Sequence, residues 1–447
     1  MKINEKRFVQ LLNNKEYIQL RKELLQLNAI DIAEVLEEID ITVALMLFRM
    51  LPKDIAVDVF SYFPRDKQKE IIDSITDKEL QYIIDELNFD DMIDLLEEMP
   101  ANVVKKILLK SNYDERKLIN QFLNYPPDSA GSLMTIEYVD LKKEMTVKES
   151  LDHIKEIGLT KETVYTCYVT DSNRKLEGLV SLRNLVVSEG DKKIKDIMNE
   201  DVIFVNTHDD QEVVADVFKR YGFLALPVVD KENRLTGIIT VDDIMEVIDQ
   251  ENTEDFQKMA AMAPSEEKYL ETNIFTLAKH RIVWLLVLMI SATFTGNIIR
   301  RYENVLQSTV LLASFIPMLM DTGGNSGSQS STLVIRGLAL GEIKLRDVGK
   351  VIWKEFRISI IVGLVLGFTN FLRIYYLEKV NFHIALTVSI TLVVTVIISK
   401  VIGGILPILA KKMKIDPAIM AGPLITTIVD ALSLFVYFYI ASSILSI

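Results

Sequence analysis

The sequence predicts a multidomain membrane protein with an all-α amino-terminal domain, an α+β middle region and an all-α membrane domain. Apolar residues recur with helical spacing up to about residue 128, strand-type runs appear between 129 and 250, and long apolar stretches follow from about 279. The charge divides in the same way. Residues 1–278 carry 34 basic and 55 acidic residues, a net of −21, whereas residues 279–447 carry 16 and 8, a net of +8. An acidic soluble part joined to a basic apolar part is typical of a protein with one membrane-embedded half.

The composition also excludes several classes of function. The single cysteine, Cys167, rules out a disulfide within the chain and a cysteine-rich metal site. The sequence has no nucleophile–base pair and no phosphate-binding glycine loop, so we expect no enzyme activity. It has no basic stripe interleaved with aromatic residues, so nucleic acid is not an expected partner. The charged first thirty residues lack the apolar core of a signal peptide, which predicts a cytoplasmic amino terminus.

Residues 1–128 are expected to form an acidic superhelix of stacked helical hairpins. Their apolar residues recur every three or four positions, and short units with a proline near a helix start follow Leu51, Phe63 and Met99. Between residues 51 and 100, 14 acidic residues stand against 5 basic ones. Such a surplus is either a solvated face or a surface that needs a counter-charge when it meets another acidic surface.

Residues 129–250 contain two similar α+β units, 129–190 and 191–250. Leu-Glu-Gly-Leu-Val-Ser at 176 corresponds to Leu-Thr-Gly-Ile-Ile-Thr at 235, and a helix-period segment precedes each. The two units resemble a tandem pair of CBS domains, a module that often binds adenine nucleotides such as ATP; a purely structural pair is the alternative. The resemblance implies a nucleotide site at Arg183, Asn184, Phe223, Thr240 and Asp242.

Residues 243–272 are expected to form a connecting helix, of which 251–272 lie beyond the second α+β unit. Acidic residues recur along it at spacings of three to five, so several share one face. Like charges on one helical face repel unless they are screened or bridged. Because Mg²⁺ and Ca²⁺ prefer carboxylate and water oxygens, this face is a candidate site for either cation.

Five apolar stretches in the last third of the chain approach the length of about 20 residues that a bilayer-spanning helix needs. Eleven basic residues lie in the loops on one side of these stretches and 4 on the other. This asymmetry predicts a multi-pass cell-membrane protein with its amino terminus in the cytoplasm and its carboxyl terminus outside. The five stretches are 281–299, 305–322 continuing to 340, 354–377, 384–410 and 417–445.

The second apolar stretch contains a run of small polar residues, 317–332, with the sequence Pro-Met-Leu-Met-Asp-Thr-Gly-Gly-Asn-Ser-Gly-Ser-Gln-Ser-Ser-Thr. Lipid cannot satisfy such groups, so they must be buried in protein or line a water-filled cavity. Gly323 and Gly324 allow helix backbones to approach closely, and Asn325 offers an oxygen. The run therefore indicates either tight helix packing or an ion path.

Asp430 lies near the middle of the last apolar stretch, with no basic residue close to it in sequence. A carboxylate in the membrane without a partner is costly, so by default it marks an ion or proton path. Thr426 lies one turn earlier on the same face and supplies a second oxygen. Gly422 and Pro423 are expected to distort this helix. Lys400, in the fourth stretch, offers an alternative in which it forms an ion pair with Asp430.

Four segments, which occur along the chain in the expected order, resemble the MgtE family of magnesium channels and transporters, and the likeness covers essentially the whole chain. They are the Gly-Gly-Asn-Ser-Gly-Ser-Gln-Ser motif, Thr-Thr-Ile-Val-Asp around Asp430, Asp416-Pro417-Ala418, and Asn-Thr-Glu-Asp in the connecting helix. The resemblance implies a homodimer of five-span subunits in the lipid bilayer, with a pore lined by the second and fifth spans and a hydrated Mg²⁺ near Asp430. The chain departs from the family pattern at Asp321, where glycine is common, and at Gly222, where an acidic residue is expected.

The same resemblance implies closure of the pore by cytosolic Mg²⁺. Several Mg²⁺ ions per subunit would bridge the acidic faces of the amino-terminal domain, the CBS pair and the connecting, or plug, helix. Apposed acidic surfaces repel when they are ion-free and close when they are bridged, which gives negative feedback. The carboxylates implied are Asp90, Asp94, Glu212, Asp243, Glu246, Glu251, Glu254, Asp255 and Asp416.

The residues alone leave two other functions open. The first is a secondary transporter of divalent cations such as Mn²⁺ or Co²⁺, in which Asp430 would titrate; five spans without an inverted repeat count against it. The second is a membrane-anchored CBS sensor that conducts nothing. Loss of Asp430 would leave the sensor intact, whereas it would stop transport.

Overall fold

The computed structural model describes residues 11, 14, 16–99, 104, 107–108, 113–265, 269–270 and 272–445. The chain divides into two compact units, Met1–Ile248 and Asp249–Ile447.

The first unit begins with short helices, as the apolar spacing predicts. The first four helices each pack against the helix two places further along, α1 on α3, α2 on α4, α3 on α5 and α4 on α6, so these helices form a stack. Pro52 and Pro64 occupy the N-cap positions of α4 and α5. Thr76 and Glu79 form a reciprocal capping box at the start of α6. The helices are α1 Tyr17–Leu24, α2 Ala29–Glu37, α3 Ile41–Met50, α4 Lys53–Ser61, α5 Arg65–Ser74, α6 Asp77–Glu86, α7 Phe89–Glu98 and α8 Tyr113–Phe122.

Two three-stranded sheets of the same topology follow, one in each predicted α+β unit. In each sheet the first strand runs parallel to the second, and the second pairs antiparallel with the third. The two sheets meet at their hairpin turns, where Lys175 bridges Arg234. The predicted tandem α+β repeat is confirmed. The elements are α9 Ala130–Leu133, β1 Val139–Leu141, α10 Val147–Ile157, β2 Thr166–Thr170, β3 Leu176–Ser181, α11 Leu182–Val187, β4 Val205–Asn206, α12 Gln211–Tyr221, β5 Ala225–Val229 and β6 Leu235–Thr240.

The connecting helix, α13 Val241–Met259, is shorter than the predicted 243–272. The chain leaves the helix because Ala261 adopts a left-handed backbone with φ +54°, and the N–H of Met262 bonds back to the carbonyl of Gln257. The Gln257 side chain then exchanges two hydrogen bonds with the backbone of Ser265, which turns the segment back on the helix.

Four helices in the described part of the second unit are long and apolar enough to cross a membrane: Ile274–Arg301, Leu345–Leu377, Phe382–Lys412 and Pro417–Leu445. The predicted second span is also helical and 24 residues long, but its polar run lowers its hydropathy. It packs against the last two long helices. The α-helices of this unit are α14 Ile274–Arg301, α15 Glu303–Ser308, α16 Ile316–Ala339, α17 Val348–Leu372, α18 Phe382–Lys412 and α19 Gly422–Leu445.

Candidate ion path and regulatory carboxylates

The polar run of α16 is continuous helix, so its backbone groups are satisfied within the helix. Its glycines pack on α18 and α19. A Cβ added at Gly324 would lie 2.8 Å from Cγ2 of Thr426, and one added at Gly403 of α18 would collide with the carbonyl oxygen of Gly327. The expectation of close packing through small residues therefore holds for this face.

The opposite face of α16 is polar and exposed within the described unit. Asp321, Asn325 and Gln329 are exposed and recur at four-residue intervals, so they form one stripe along the helix. The side-chain amide of Asn325 donates to Oδ1 of Asp321 at 3.1 Å. One helix thus combines a packed glycine face with a row of oxygen-bearing side chains, and oxygen-bearing groups of this kind line ion paths.

Asp430 lies half-buried on α19, one turn beyond Thr426. Among the described residues, no cationic side chain forms an ion pair with Asp430, and Lys400 instead donates to Oε1 of Gln329 at 3.3 Å. The alternative of a Lys400–Asp430 pair is therefore wrong, because Lys400 points to the polar run of α16. The Thr426 hydroxyl donates to the carbonyl of Pro423 at 2.9 Å, which leaves its oxygen lone pairs available.

The predicted distortion near Pro423 takes the form of a break before the helix. A short 3₁₀ turn, Pro417–Met420, ends at Ala421, and α19 starts at Gly422 with φ +39°. Gly422 is required there by space as well, since a Cβ would lie 2.6 Å from the carbonyl oxygen of Met259.

Glu355 of α17 is a buried carboxylate that the sequence pattern did not indicate. The Ser330 hydroxyl donates to Glu355 Oε2 at 2.6 Å, and both Glu355 and Lys400 are more than nine-tenths buried. Glu355 and Lys400 thus bond to the adjacent residues Ser330 and Gln329 of α16. Both also line a cavity of about 790 Å³, together with Asn325, Ser328 and Thr332. The position of Glu355 at the edge of the third apolar stretch made it resemble a loop residue, and nothing in the local pattern shows its burial.

Four of the predicted regulatory carboxylates gather in the second unit, around the end of α13 and the turn before α19. The ammonium group of Lys258 lies 2.5 Å from Glu254 and 2.7 Å from Asp416. Burial, followed by the charge of Asp416, raises the pKa of Asp255 to about 6. Burial alone would lower the pKa of Lys258, but its hydrogen bonds to Asp416 and Glu254 outweigh that effect and raise it. Glu251 adds a further negative charge near Asp255.

A second acidic group lies in the first unit, around the start of α13. Burial raises the pKa of Asp243 to about 6, although Oδ2 of Asp243 accepts from the Thr240 hydroxyl at 2.6 Å. Burial, followed by the charge of Asp243, raises the pKa of Glu162 to about 7. The charge of Asp91 acts on both groups. Sequence analysis named Asp243 but missed Glu162 and Asp91, because only the fold brings these three segments together.

Four further predicted carboxylates remain, two of which the structure describes. Glu212, in the first turn of α12, and Glu246, on α13, are exposed. The side chains of Asp90 and Asp94, on α7, lie outside the described residues. Within the described residues, no three His, Cys, Asp or Glu side chains form a ready-made metal cage. Mg²⁺ retains several waters and takes only one or two protein carboxylates, so a site of this kind needs no such cage.

Comparison with known proteins identifies the family. Residues 316–440 match the family model described as a divalent cation transporter, residues 27–128 match the MgtE intracellular N domain, and residues 194–250 match a CBS domain. The chain is 35% identical to the magnesium transporter MgtE of Thermus thermophilus over 430 residues, covering 94% of each chain. It is 34% identical to that of Bacillus subtilis over 98% of this chain and 96% of the relative.

The chain belongs to the MgtE family. Members of this family are transporters, which confirms the expectation that the protein is not an enzyme. A solved cytosolic domain of an MgtE Mg²⁺ channel in complex with ATP is also similar to this chain. It has 34% identity and a TM-score of 0.51, and the match covers 54% of this chain and 98% of that one.

Two features of this MgtE-family chain concern the CBS pair. Gly222, where the family pattern suggested an acidic residue, is the left-handed C-cap of α12 with φ +65°, a conformation that favours glycine. Of the predicted nucleotide residues, Arg183, Asn184 and Asp242 are exposed. Phe223 stacks on Tyr221, and buried Thr240 caps α13 through Asp243.

Proposed function

We propose that the protein is a Mg²⁺-selective channel of the cell membrane that takes up Mg²⁺ and is closed by cytosolic Mg²⁺. The observation that carries the transport step is Asp430, a half-buried carboxylate inside a predicted span with no ion-pair partner among the described residues. The relatives named as magnesium transporters, which share about a third of their residues with nearly the whole chain, support the choice of cation.

The chemistry of the path suits a hydrated divalent cation. Mg²⁺ dehydrates reluctantly, so it is best recognised through its water shell by fixed oxygens and a negative charge. Asp430 would supply that charge, and Thr426 and Asn325 would supply neutral oxygens. Gly323 and Gly324 would allow α16 to lie close enough to α19 for both helices to contribute. In this proposal two copies of the chain form a homodimer and enclose the path between them, with the amino terminus cytoplasmic and the carboxyl terminus outside.

The feedback step would use the two acidic groups described above. The negative charges of Asp416 and Glu251 act on Asp255, and Lys258 neutralises only part of that charge. Burial, followed by repulsion between carboxylates, raises the pKa of Asp255, and a Mg²⁺ ion at this group would offset the repulsion. A Mg²⁺ ion near Asp243 and Glu162 would act in the same way. Glu212, Glu246, Asp90 and Asp94 would add further weak sites. Because each bound ion favours the closed state, several sites together would make closure steep.

Nucleotide binding by the CBS pair is a second part of the proposal. It rests on the similar MgtE cytosolic domain solved with ATP. Arg183 and Asp242 are exposed and chemically suited to phosphate and ribose, respectively.

The transport step is tested by reconstituting the full chain in liposomes and following Mg²⁺ entry with a fluorescent indicator. We expect Asp430→Asn to abolish Mg²⁺ flux, whereas Glu303→Gln, which removes an exposed carboxylate before α16, leaves it unchanged. Wild-type flux should follow the Mg²⁺ gradient without a pH gradient. Normal Mg²⁺ flux through the Asp430→Asn variant would contradict the proposed channel function. Wild-type flux that requires a pH gradient would also contradict it.

The feedback step is tested with Glu251→Gln, Glu254→Gln and Asp255→Asn combined in one chain. We expect this variant to conduct at internal Mg²⁺ concentrations that close the wild-type protein. Unchanged closure would refute this role for the acidic group of the second unit while leaving the transport step standing.

A further inference from the structure

The register of α16 against α19 places Asp321 at the level of Asp430. The two helices run antiparallel and contact each other at several levels along their length. The Ser331 hydroxyl donates to the carbonyl of Met420 at 2.8 Å, and a Cβ at Gly327 would lie 2.9 Å from Cγ2 of Ile425. One turn nearer the amino end of α16, a Cβ at Gly323 would lie 3.0 Å from Cγ1 of Val429.

These contacts advance by four residues on α16 for every four or five on α19. Continued by two more residues on α16, the same register reaches residues 430–431 of α19, so Asp321 lies level with Asp430 to within one residue. Beyond it, the Tyr437 hydroxyl donates to the carbonyl of Leu312 at 2.9 Å, so the register persists past this level. The negative charge of Asp321 acts on Asp430, in agreement with their being at one level.

Asp321 also lies on the exposed polar stripe of α16. Its Oδ1 accepts from the side-chain amide of Asn325 at 3.1 Å. That bond uses the nitrogen end of the Asn325 amide, so the oxygen end remains available to a cation or to its water shell. A single side chain therefore adds a negative charge at the level of Asp430 and orients the neighbouring amide.

We propose that Asp321 is a specificity-determining residue of the cation path, acting with Asp430 as a second carboxylate and positioning the amide oxygen of Asn325. This inference rests on the proposed function, because it assigns a role within the same path. Two carboxylates per subunit attract a divalent cation more strongly than one, and the attraction gained grows with the charge of the ion. Asp321 should therefore favour Mg²⁺ over monovalent cations.

The experiment compares variants of the full chain in liposomes by the external Mg²⁺ concentration that gives half-maximal uptake. Asp321→Asn keeps a hydrogen-bond acceptor for Asn325 but removes the charge. We expect it to raise the half-saturating Mg²⁺ concentration about threefold to tenfold, the size that one charge contributes in a hydrated path. Asp321→Ala removes both features and should raise it further. Asp321→Glu keeps the charge and should stay within about twofold of wild type.

Glu303→Gln is the matched control, since it removes one exposed carboxylate from the segment before α16 and should change nothing. Thermal unfolding of each variant separates loss of Mg²⁺ affinity from loss of fold. If Asp321→Asn behaves as Glu303→Gln while Asp430→Asn loses uptake, Asp321 has no such role and the proposed function stands. If Asp430→Asn transports Mg²⁺ normally, the proposed function fails and this inference fails with it. An equal rise in Asp321→Glu and Asp321→Asn would also overturn the role of the charge.

Discussion

The ammonium nitrogen of Lys258 lies 2.7 Å from Oδ2 of Asp416, and this ion pair joins the last turn of α13 to the turn that precedes α19. The same ammonium contacts Glu254 at 2.5 Å. A monovalent cation built into the chain therefore already bridges two carboxylates of the proposed regulatory group. Mg²⁺ would have to act beside it or displace it.

This ion pair predicts the effect of replacing Lys258 by methionine, which keeps the apolar stem and removes the charge. Without the ammonium group, the carboxylates repel and the ion-free group loses its cross-link. We expect uptake at low internal Mg²⁺ to rise about twofold to fivefold, the effect of a partly exposed ion pair, while saturating Mg²⁺ still closes the channel. Lys412→Met, at an exposed lysine, serves as the control. Lower uptake in Lys258→Met than in wild type would contradict a closing role for the pair.

The raised pKa of Asp255 predicts that closure by Mg²⁺ depends on pH. The carboxylate is mostly ionised above its pKa of about 6 and mostly protonated below it. Because Mg²⁺ binds the ionised form, the internal Mg²⁺ concentration needed for half-closure should rise as the internal pH falls from 7.5 to 5.5. Asp255→Asn should flatten that dependence and require more Mg²⁺ at pH 7.5. A wild-type protein that closes at the same Mg²⁺ concentration at both pH values would contradict this role.

The acidic group of the first unit predicts how the local stability of that unit depends on pH. The pKa of Glu162 is raised to about 7 and that of Asp243 to about 6, so between about pH 4 and pH 7 the folded state binds more protons than the unfolded state. Stability in the absence of Mg²⁺ must therefore fall as the pH rises through this range. Amide hydrogen exchange of peptides from β2 and the start of α13 should be slower at pH 5.5 than at 7.5, after correction for intrinsic exchange rates.

Glu162→Gln checks the origin of that effect. It removes the charge whose burial is unfavourable, so it should slow exchange at pH 7.5 in the absence of Mg²⁺ and weaken the pH dependence. Glu189→Gln, at an exposed carboxylate of the same unit, should leave both unchanged. If exchange instead slows as the pH rises, the predicted direction of the pH dependence of stability is wrong.

The packed face of α16 predicts a large difference between two glycine substitutions. An added methyl group at Gly403 would collide with the backbone of Gly327, whereas one at Gly349 of α17 meets no atom within 4 Å. We expect Gly403→Ala to destabilise the membrane unit by about 1–3 kcal/mol, the usual cost of overpacking. Gly349→Ala should be neutral or slightly stabilising. Thermal unfolding in detergent provides the measurement, and equal melting temperatures for the two variants would contradict the tight contact.

Sequence reasoning succeeded where the deciding forces are local. The spacing of apolar residues predicted helices in the amino-terminal region, and the two similar segments at 176 and 235 form the corresponding strands Leu176–Ser181 and Leu235–Thr240. It overestimated α13, because the segment after Met259 folds back through a side-chain contact of Gln257 that no periodicity signals.

The amino-acid sequence by itself determined which segments are helical, which stretches are apolar enough to span a membrane, and that Asp430 lies in one of them. Only the tertiary structure decided the partners of the charged groups: Lys400 with Gln329, Glu355 with Ser330, Lys258 with Asp416, and Asp321 level with Asp430. The physical reason is that hydrogen bonds and ion pairs act over a few ångströms. Residues far apart in the chain reach that distance only through the register in which the helices pack.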